Sequence, residues 1–195
     1  MDLSIIIPTS NEAANISILI DKIDEIFRHL RFNYEIIVVD AGSKDNTLPI
    51  AKEKGANAFI QINKGYGGAL YDAIKLSKGR YIITMDADLS HNPYIIRRLF
   101  SMRGSAHVII ASRYVRGGLA NMPLLRKVLS VILNKFLCFG LSLPLKDITG
   151  GFRLYSSEIF SEIEFSEKNF NVSVEILVKE YMRGYSIKEL PFHYQ

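Results

Sequence analysis

Five short strand-like runs, each closed by a turn signal and separated by stretches of helical period, constrain this chain more than any other feature. Leu3-Ser4-Ile5-Ile6-Ile7 is stopped by Pro8, residues 36–39 end on Asp40, residues 57–60 run into a Gly-rich stretch, residues 81–85 end on Asp86, and residues 108–111 complete the series. Short apolar runs bounded in this way read as buried strands. Between the first two, Ile16, Ile20, Ile23, Phe27 and Leu30 recur at helical spacing behind Thr9-Ser10-Asn11-Glu12, which has the form of a capping box. Ser43 and Asp45 are placed to cap a second helix, residues 69–77 continue as a helix from a Gly-rich turn over 63–68, and Pro93 suits the start of a helix reaching about Met102. Strands alternating with helices predict an α/β fold, Rossmann-like, with a mainly parallel central sheet and helices on both faces.

In such a sheet ligands sit beyond the carboxyl ends of the strands. Pro8-Thr9-Ser10, Asp40-Ala41-Gly42 and Asp86-Ala87-Asp88 all fall there. Asp86 and Asp88 are the sharpest of these signals, because two carboxylates one residue apart suit a hard divalent cation, Mg²⁺ or Mn²⁺, that keeps phosphate oxygens in its shell. As a loop pair the same residues would only cap the helix at Pro93. Asp40 suits a base N–H or a ribose hydroxyl, although a turn carboxylate beside Gly42 is the plainer reading. The run Asn63-Lys64-Gly65-Tyr66-Gly67-Gly68 has the glycines of a phosphate loop without the Walker spacing, and is weak evidence. Arg113, Arg116, Arg126 and Lys127 bracket Gly117-Gly118. Arginine suits bidentate phosphate binding, provided the segment folds back over the site. The four histidines show no metal-ligand spacing and receive no role.

The second half differs in character. Residues 124–145 are strongly apolar, with Arg126, Lys127 and Lys135 their only charges. Over 124–137 the polar residues Arg126, Lys127, Ser130, Asn134 and Lys135 fall on one helical stripe. The pattern fits equally an interfacial helix with its apolar face in a bilayer or an ordinary core helix. Thr149-Gly150-Gly151-Phe152-Arg153 follows, then a helix over 172–183 and a last strand over 186–190.

With 195 residues, no repeat and no linker, the chain reads as a single domain, 1–195. Its 48% hydrophobic and 23% charged residues exclude a disordered chain. One cysteine, Cys138, excludes an intrachain disulfide and fits a reducing, cytoplasmic compartment. Leu3 to Ile7 is too short for a signal peptide, and no run reaches the ~20 apolar residues of a spanning helix. A net charge of +4, spread along the chain, argues for no nucleic-acid partner and suits an anionic small molecule or lipid surface.

Taken in order, SIIIPTSNEAANI, EIIVVDAGSKDNT, NKGYGGALYDAI, YIITMDADLSHNP, SRYVRGG, DITGGFRLY and VEILVKEYMRGYSIKELPF resemble glycosyltransferase family 2, and most its dolichyl-phosphate mannose synthase branch. The resemblance spans nearly the whole chain. It implies a GT-A fold and metal-dependent, inverting transfer of a sugar, mannose or glucose, from a nucleotide diphosphate (GDP-mannose or UDP-glucose) to a polyprenyl or dolichyl phosphate. The nucleotide-sugar and metal side would be about 1–112 and the acceptor side about 113–195. Pro8, Thr9, Ser10, Glu12, Asp40, Gly42, Lys64, Gly65 and Asp86 would line the nucleotide-sugar pocket. Asp86, Asp88 and Ser90 would hold the metal, and Arg113, Arg126 and Ser130 the acceptor phosphate. A position on the cytoplasmic face of a membrane follows from such an acceptor. Three departures stand out: Ala41 where the family usually has a second Asp, Ser10 for a common Tyr, and an end at Gln195 where relatives usually continue into a basic segment. Two alternatives stay open: a family 2 enzyme with a saccharide or protein acceptor and a carboxylate base, Asp147 or less well Glu175, and a silent nucleotide-sugar-binding module.

Overall fold

The computed structural model describes residues 1–28, 32–162 and 166–194; Leu30 and Gln195 lie outside them. In chain order the elements are β1 (Leu3–Thr9), α1 (Ala13–Phe27), β2 (Tyr34–Asp40), α2 (Thr47–Glu53), β3 (Asn57–Ile60), α3 (Gly65–Leu76), β4 (Tyr81–Thr84), α4 (Ile95–Ser101), β5 (Val108–Ser112), β6 (Leu119–Ala120), α5 (Leu124–Gly140), β7 (Arg153–Ser156), α6 (Ile159–Glu162), α7 (Val172–Met182), β8 (Ile187–Pro191) and β9 (His193–Tyr194). Seven strands form one sheet in the order β3-β2-β1-β4-β7-β5-β8, and β6 pairs with β9 beside it. The five strands expected in the first half and the last strand expected over 186–190, β8, are all present, in parallel register apart from their contacts with β7.

Strand side chains alternate between two cores, as a period of two requires when both faces are covered. Leu3, Ile5, Ile7, Ile36, Val38, Ile83 and Ile109 point to the face carrying α1, α2 and α4. Ile6, Ile37, Val39, Ile82, Val108 and Ile110 point to the face carrying α3 and α7. The buried residues of α1 are Ile16, Leu19, Ile20, Ile23 and Phe27, close to the stripe the sequence showed.

Several local expectations are corrected. Thr9 does not cap α1: it ends β1, and its hydroxyl donates to Asp40 Oδ2 at 3.1 Å. The N–H groups leading into α1 are met instead from the loop after β2 and the start of α2, with Asn11 N–H donating to Ser43 Oγ (2.7 Å), Glu12 N–H to Thr47 Oγ1 (2.8 Å) and Ala13 N–H to Asp45 Oδ2 (3.1 Å). Asp45 does serve the second helix, accepting the Thr47 N–H on its other oxygen. The Gly-rich stretch is no turn, because α3 begins at Gly65. The largest addition is β7, which lies antiparallel between β4 and β5. It carries the segment after Gly150-Gly151 into the middle of the sheet, so the strand ends holding Asp86 and Arg113 flank it.

The helix α5 overturns the core-helix reading. Among its side chains only Asn134 and Cys138 are buried. Leu124, Leu125, Leu129, Ile132, Phe136 and Phe139 are all more than half exposed. Asn134 of the polar stripe is buried and Lys127 and Ser130 are half-buried, Arg126 and Lys135 are exposed, and the apolar side is open. No helix of the described residues is long and apolar enough to cross a membrane.

Candidate active site

Beyond the ends of β4 and β5 a pocket of about 180 Å³ collects residues from several separate stretches of chain. Asp86 comes from the end of β4, Arg113 from the end of β5, Arg126 from the first turn of α5, and Gly150-Gly151 from the approach to β7. Tyr66 and Phe170 close one side as a stacked pair, ring centroids 4.6 Å apart. A Cβ on Gly151 would stand 2.9 Å from the Tyr66 hydroxyl, so a side chain there would have to push that hydroxyl aside.

Asp86 is set by a residue that periodicity and spacing did not single out. His91 is buried, its ring stacked on Phe152 at 4.9 Å. Its Nδ1 accepts the Asp86 main-chain N–H at 3.0 Å, and its Nε2 lies 3.5 Å from Asp86 Oδ2. A ring nitrogen that accepts a main-chain N–H carries no proton, so the hydrogen of neutral His91 sits on Nε2, facing the carboxylate. Burial pushes the imidazole pKa down, outweighing the upward pull of Asp86 and Asp88, which keeps the ring neutral.

Asp88 is exposed, with Oδ1 accepting from Ser90 N–H (3.0 Å) and Ser90 Oγ (2.6 Å). Ser90 thus spends its proton on Asp88 and braces one oxygen, leaving the other open. Among the described residues no three His, Cys, Asp or Glu side chains converge as a metal cluster. Two hard carboxylates without a third protein ligand fit a cation that completes its shell with phosphate oxygens and water, the habit of Mg²⁺ and Mn²⁺.

Asp40 is buried and already fully employed: Oδ1 accepts the N–H groups of Gly42 (2.8 Å) and Ser43 (2.6 Å), and Oδ2 accepts the hydroxyls of Thr9 (3.1 Å) and Ser43 (2.5 Å). It shapes the loop rather than presenting a free carboxylate. Pro8, Ser10 and Glu12 border that loop, Ser10 and Gly42 exposed and Glu12 accepting from Asn15 Nδ2 at 2.7 Å.

Lys64 and Gly65 are not brought to the pocket of Asp86. Gly67 donates its N–H to the Lys168 carbonyl at 2.8 Å, and Cβ atoms at Gly65 and Gly67 would collide with the carbonyls of Lys168 and Glu167. These glycines are small because the backbone of Glu167 and Lys168 crosses them. Lys64 lines a separate cavity of about 850 Å³.

Asp147 is corrected as a candidate base. It is buried and gripped by Arg113, with Nε on Oδ2 at 2.7 Å, Nη2 on Oδ1 at 2.6 Å, and the Arg113 main-chain N–H on Oδ2 at 2.9 Å. A carboxylate in a bidentate pair is not free to take a proton from an acceptor. Glu175 is likewise engaged, accepting from Lys179 Nζ and from the N–H groups of Ser166 and Glu167. Ser130 accepts the Tyr114 hydroxyl at 2.7 Å, tying α5 to the chain after β5; Arg116 is exposed outside the pocket.

The pattern of glycosyl transferase family 2 matches residues 4–164. The chain belongs to that family. Its similarity to a dolichol-phosphate mannosyltransferase of Pyrococcus furiosus is 33% identity over 98% of this chain and 56% of that protein, so the chain spans little more than half that relative's length. It is 28% identical to a dolichyl-phosphate hexose transferase of Haloferax volcanii, over 100% of this chain and 83% of the other. With a polyprenol monophosphomannose synthase of Mycolicibacterium smegmatis it shares 32% identity over 96% of this chain and 75% of the other. The fold is GT-A, as the family implies. It superposes on glucosyl-3-phosphoglycerate synthase of Mycobacterium tuberculosis, crystallised with Mn²⁺, UDP-glucose and phosphoglyceric acid, with a TM-score of 0.79 at 18% identity, over 99% of this chain and 70% of that one. The same synthase crystallised with Mg²⁺ and UDP gives a TM-score of 0.78 at 19% identity, over 99% and 70% of the two chains.

Proposed function

We propose that this family 2 domain transfers a hexose, mannose or glucose, from a nucleotide-diphosphate sugar to the phosphate of a polyprenyl lipid, with inversion, at the cytoplasmic face of a membrane. The observation that carries the reading is the meeting of one carboxylate and two arginines from three separate elements, Asp86, Arg113 and Arg126, in one pocket beside a helix whose apolar face is open. The names of the Pyrococcus, Haloferax and Mycolicibacterium relatives support it.

The donor half, about 1–112, would present its nucleotide to the loop that Asp40 organises, bordered by Pro8, Thr9, Ser10, Glu12 and Gly42. Asp86 and Asp88 would hold Mg²⁺ or Mn²⁺, with Ser90 bracing Asp88. When bound, such an ion supplies positive charge to the diphosphate leaving group. The acceptor half, about 113–195, would bring Arg113 and Arg126 to the lipid phosphate, with Ser130 anchoring α5. A phosphate oxygen is already anionic near neutral pH, so transfer needs orientation and charge neutralisation more than a base. The engagement of Asp147 with Arg113 favours this over a saccharide or protein acceptor, which would need a free carboxylate. The open face of α5 would rest in the interface, where the head of such a lipid must be met.

Arg126→Ala tests the assignment, with nucleotide sugar and polyprenyl phosphate varied separately in the presence of Mn²⁺. Loss of a charged hydrogen bond to a phosphate costs ~1.5–3 kcal/mol, roughly a 10- to 150-fold fall in acceptor efficiency, with donor binding kept. A loss confined to the donor, or transfer by the parent protein that is indifferent to lipid phosphate, overturns it.

A further inference from the structure

The helix α5 is fastened to the protein through an amide. Asn134 is 1% exposed, and every polar position of its side chain is used. Its Oδ1 accepts the main-chain N–H groups of Ile148 at 2.8 Å and Thr149 at 3.2 Å. Its Nδ2 donates to the Ser130 carbonyl and to Thr149 Oγ1, both at 2.9 Å. The same Thr149 hydroxyl oxygen accepts from Arg113 Nη2 at 3.0 Å. One hydroxyl therefore joins a residue of α5 to the arginine at the end of β5. The other buried side chain of the helix, Cys138, packs among apolar residues.

We propose that Asn134 is a positioning residue for the acceptor phosphate, fixing the spacing between Arg113 and Arg126; this rests on the acceptor reading above. Two guanidinium groups from different elements hold one phosphate together only if their separation is kept to within about 0.5 Å. Arg113 is immobilised by Asp147 in the loop. Arg126 rides on α5, whose outer face has no protein partner among the described residues, so its place depends on how the helix is seated. Apolar contacts alone would let that helix slide, since dispersion is non-directional, whereas a fully satisfied buried amide admits one register.

The test is calorimetry on the purified protein with farnesyl phosphate, a soluble short-chain polyprenyl phosphate, and separately with Mn²⁺ and GDP or UDP. Asn134→Ala is expected to weaken farnesyl phosphate roughly tenfold and to leave nucleotide affinity unchanged. Thr149→Val should do the same and add little to Asn134→Ala, while Thr149→Ser, which restores the hydroxyl, should bind as the parent does. Cys138→Ala is the structural control: it should lower Tm without moving farnesyl phosphate affinity. If Asn134→Ala does not fold, the Thr149 pair decides. Equal weakening of both ligands by Asn134→Ala, or a Cys138→Ala loss matching it on farnesyl phosphate, reduces Asn134 to a structural anchor and overturns the proposal. A parent protein that binds farnesyl phosphate no better than Asn134→Ala does, yet measurably, overturns this inference alone. One that binds the nucleotide but no farnesyl phosphate overturns the acceptor reading, and this inference with it.

Discussion

His91 meets Asp86 twice, accepting its main-chain N–H on Nδ1 at 3.0 Å and standing 3.5 Å from its carboxylate with Nε2. The imidazole is therefore a clamp on the strand end that carries the acidic pair. His91→Phe keeps a ring against Phe152 but leaves a main-chain donor without its partner, at a cost of ~1–3 kcal/mol. The expected result is a weaker complex with Mn²⁺ and a nucleoside diphosphate, by about tenfold, in a protein that still folds; His91→Asn, which offers an oxygen to the same N–H, should recover part of the loss. Unchanged affinity in His91→Phe, measured by calorimetry, would remove the clamp.

Asp88→Asn should abolish metal-dependent binding of GDP or UDP with little change in Tm. The side chain is exposed, its Oδ1 can keep accepting from Ser90, and only the charge is lost. Because two carboxylates alone make a poor cage, Mn²⁺ titrated without nucleotide should bind the parent protein far more weakly than with it. Tight binding of Mn²⁺ alone, or equal nucleotide affinity in Asp88→Asn, goes against the assignment.

Asp147→Asn separates a base from a holder of Arg113. A residue that only fixes the guanidinium should, when neutralised, raise the acceptor KM and leave the low-pH limb of the transfer profile in place. Breaking a buried ion pair from one side is also destabilising, by ~3–5 kcal/mol, so a fall in Tm belongs to the expectation. A kcat that collapses with unchanged acceptor KM and unchanged Tm would restore Asp147 as a base.

Leu129→Glu probes the open face of α5. Leu129 is 58% exposed, so the substitution should leave Tm within a few degrees. It should lower co-sedimentation with anionic vesicles severalfold, since it removes apolar area and adds a charge of the wrong sign. Unfolding of Leu129→Glu, or no vesicle binding by the parent protein, would count against an interfacial helix.

Glu180 is the stability prediction. It is fully buried, neither carboxylate oxygen has a hydrogen-bond partner among the described residues, and burial pushes its pKa up to about 8 despite the charge of Arg153. The folded protein thus holds a proton that the unfolded chain releases above pH 4.5 or so. Stability from this group is complete below that point and is lost as pH rises towards 8. Glu180→Gln cannot titrate, so relative to the parent it should gain about 3–4 kcal/mol between pH 5 and pH 8, or roughly 6–16 °C in Tm. A Tm difference between the two proteins that stays constant over that range would show the carboxyl ionising normally.

The strand ends that hold Asp86 and Asp40 were legible because each follows a run of apolar residues, and burial of such runs needs no knowledge of the partner. The same holds for the two-faced sheet and for the stripe on α1, where local period decides which side is covered. The roles of particular polar groups were not legible. For Asp40 the sequence offers a ligand carboxylate and, more plainly, a turn carboxylate beside Gly42, and Thr9, Gly42 and Ser43 around it bear out the turn; Asp147, a base only if the acceptor were a saccharide or protein, is closed on by Arg113. The glycines at Gly65 and Gly67 look like a phosphate cradle, while their smallness answers to the backbone of Glu167 and Lys168, a hundred residues away in sequence. β7 is four residues long and includes the fully buried Arg153, whose guanidinium donates to the carbonyls of Gly150, Ile148 and Ser173; no period reveals a buried cation satisfied by carbonyls.

The helix α5 divides the two kinds of information most clearly. Its amphipathic pattern is a property of the sequence, since side-chain polarity and the 3.6-residue period place Ser130 and Asn134 opposite Leu129, Ile132 and Phe136. Which face turns inward is not. In the fold the amide of Asn134 turns inward to the N–H groups of Ile148 and Thr149 and to the Thr149 oxygen shared with Arg113, and the leucines face out. Polarity along a chain is local and can be read from it, but satisfying a buried polar group takes partners that only the folded chain brings within 3 Å.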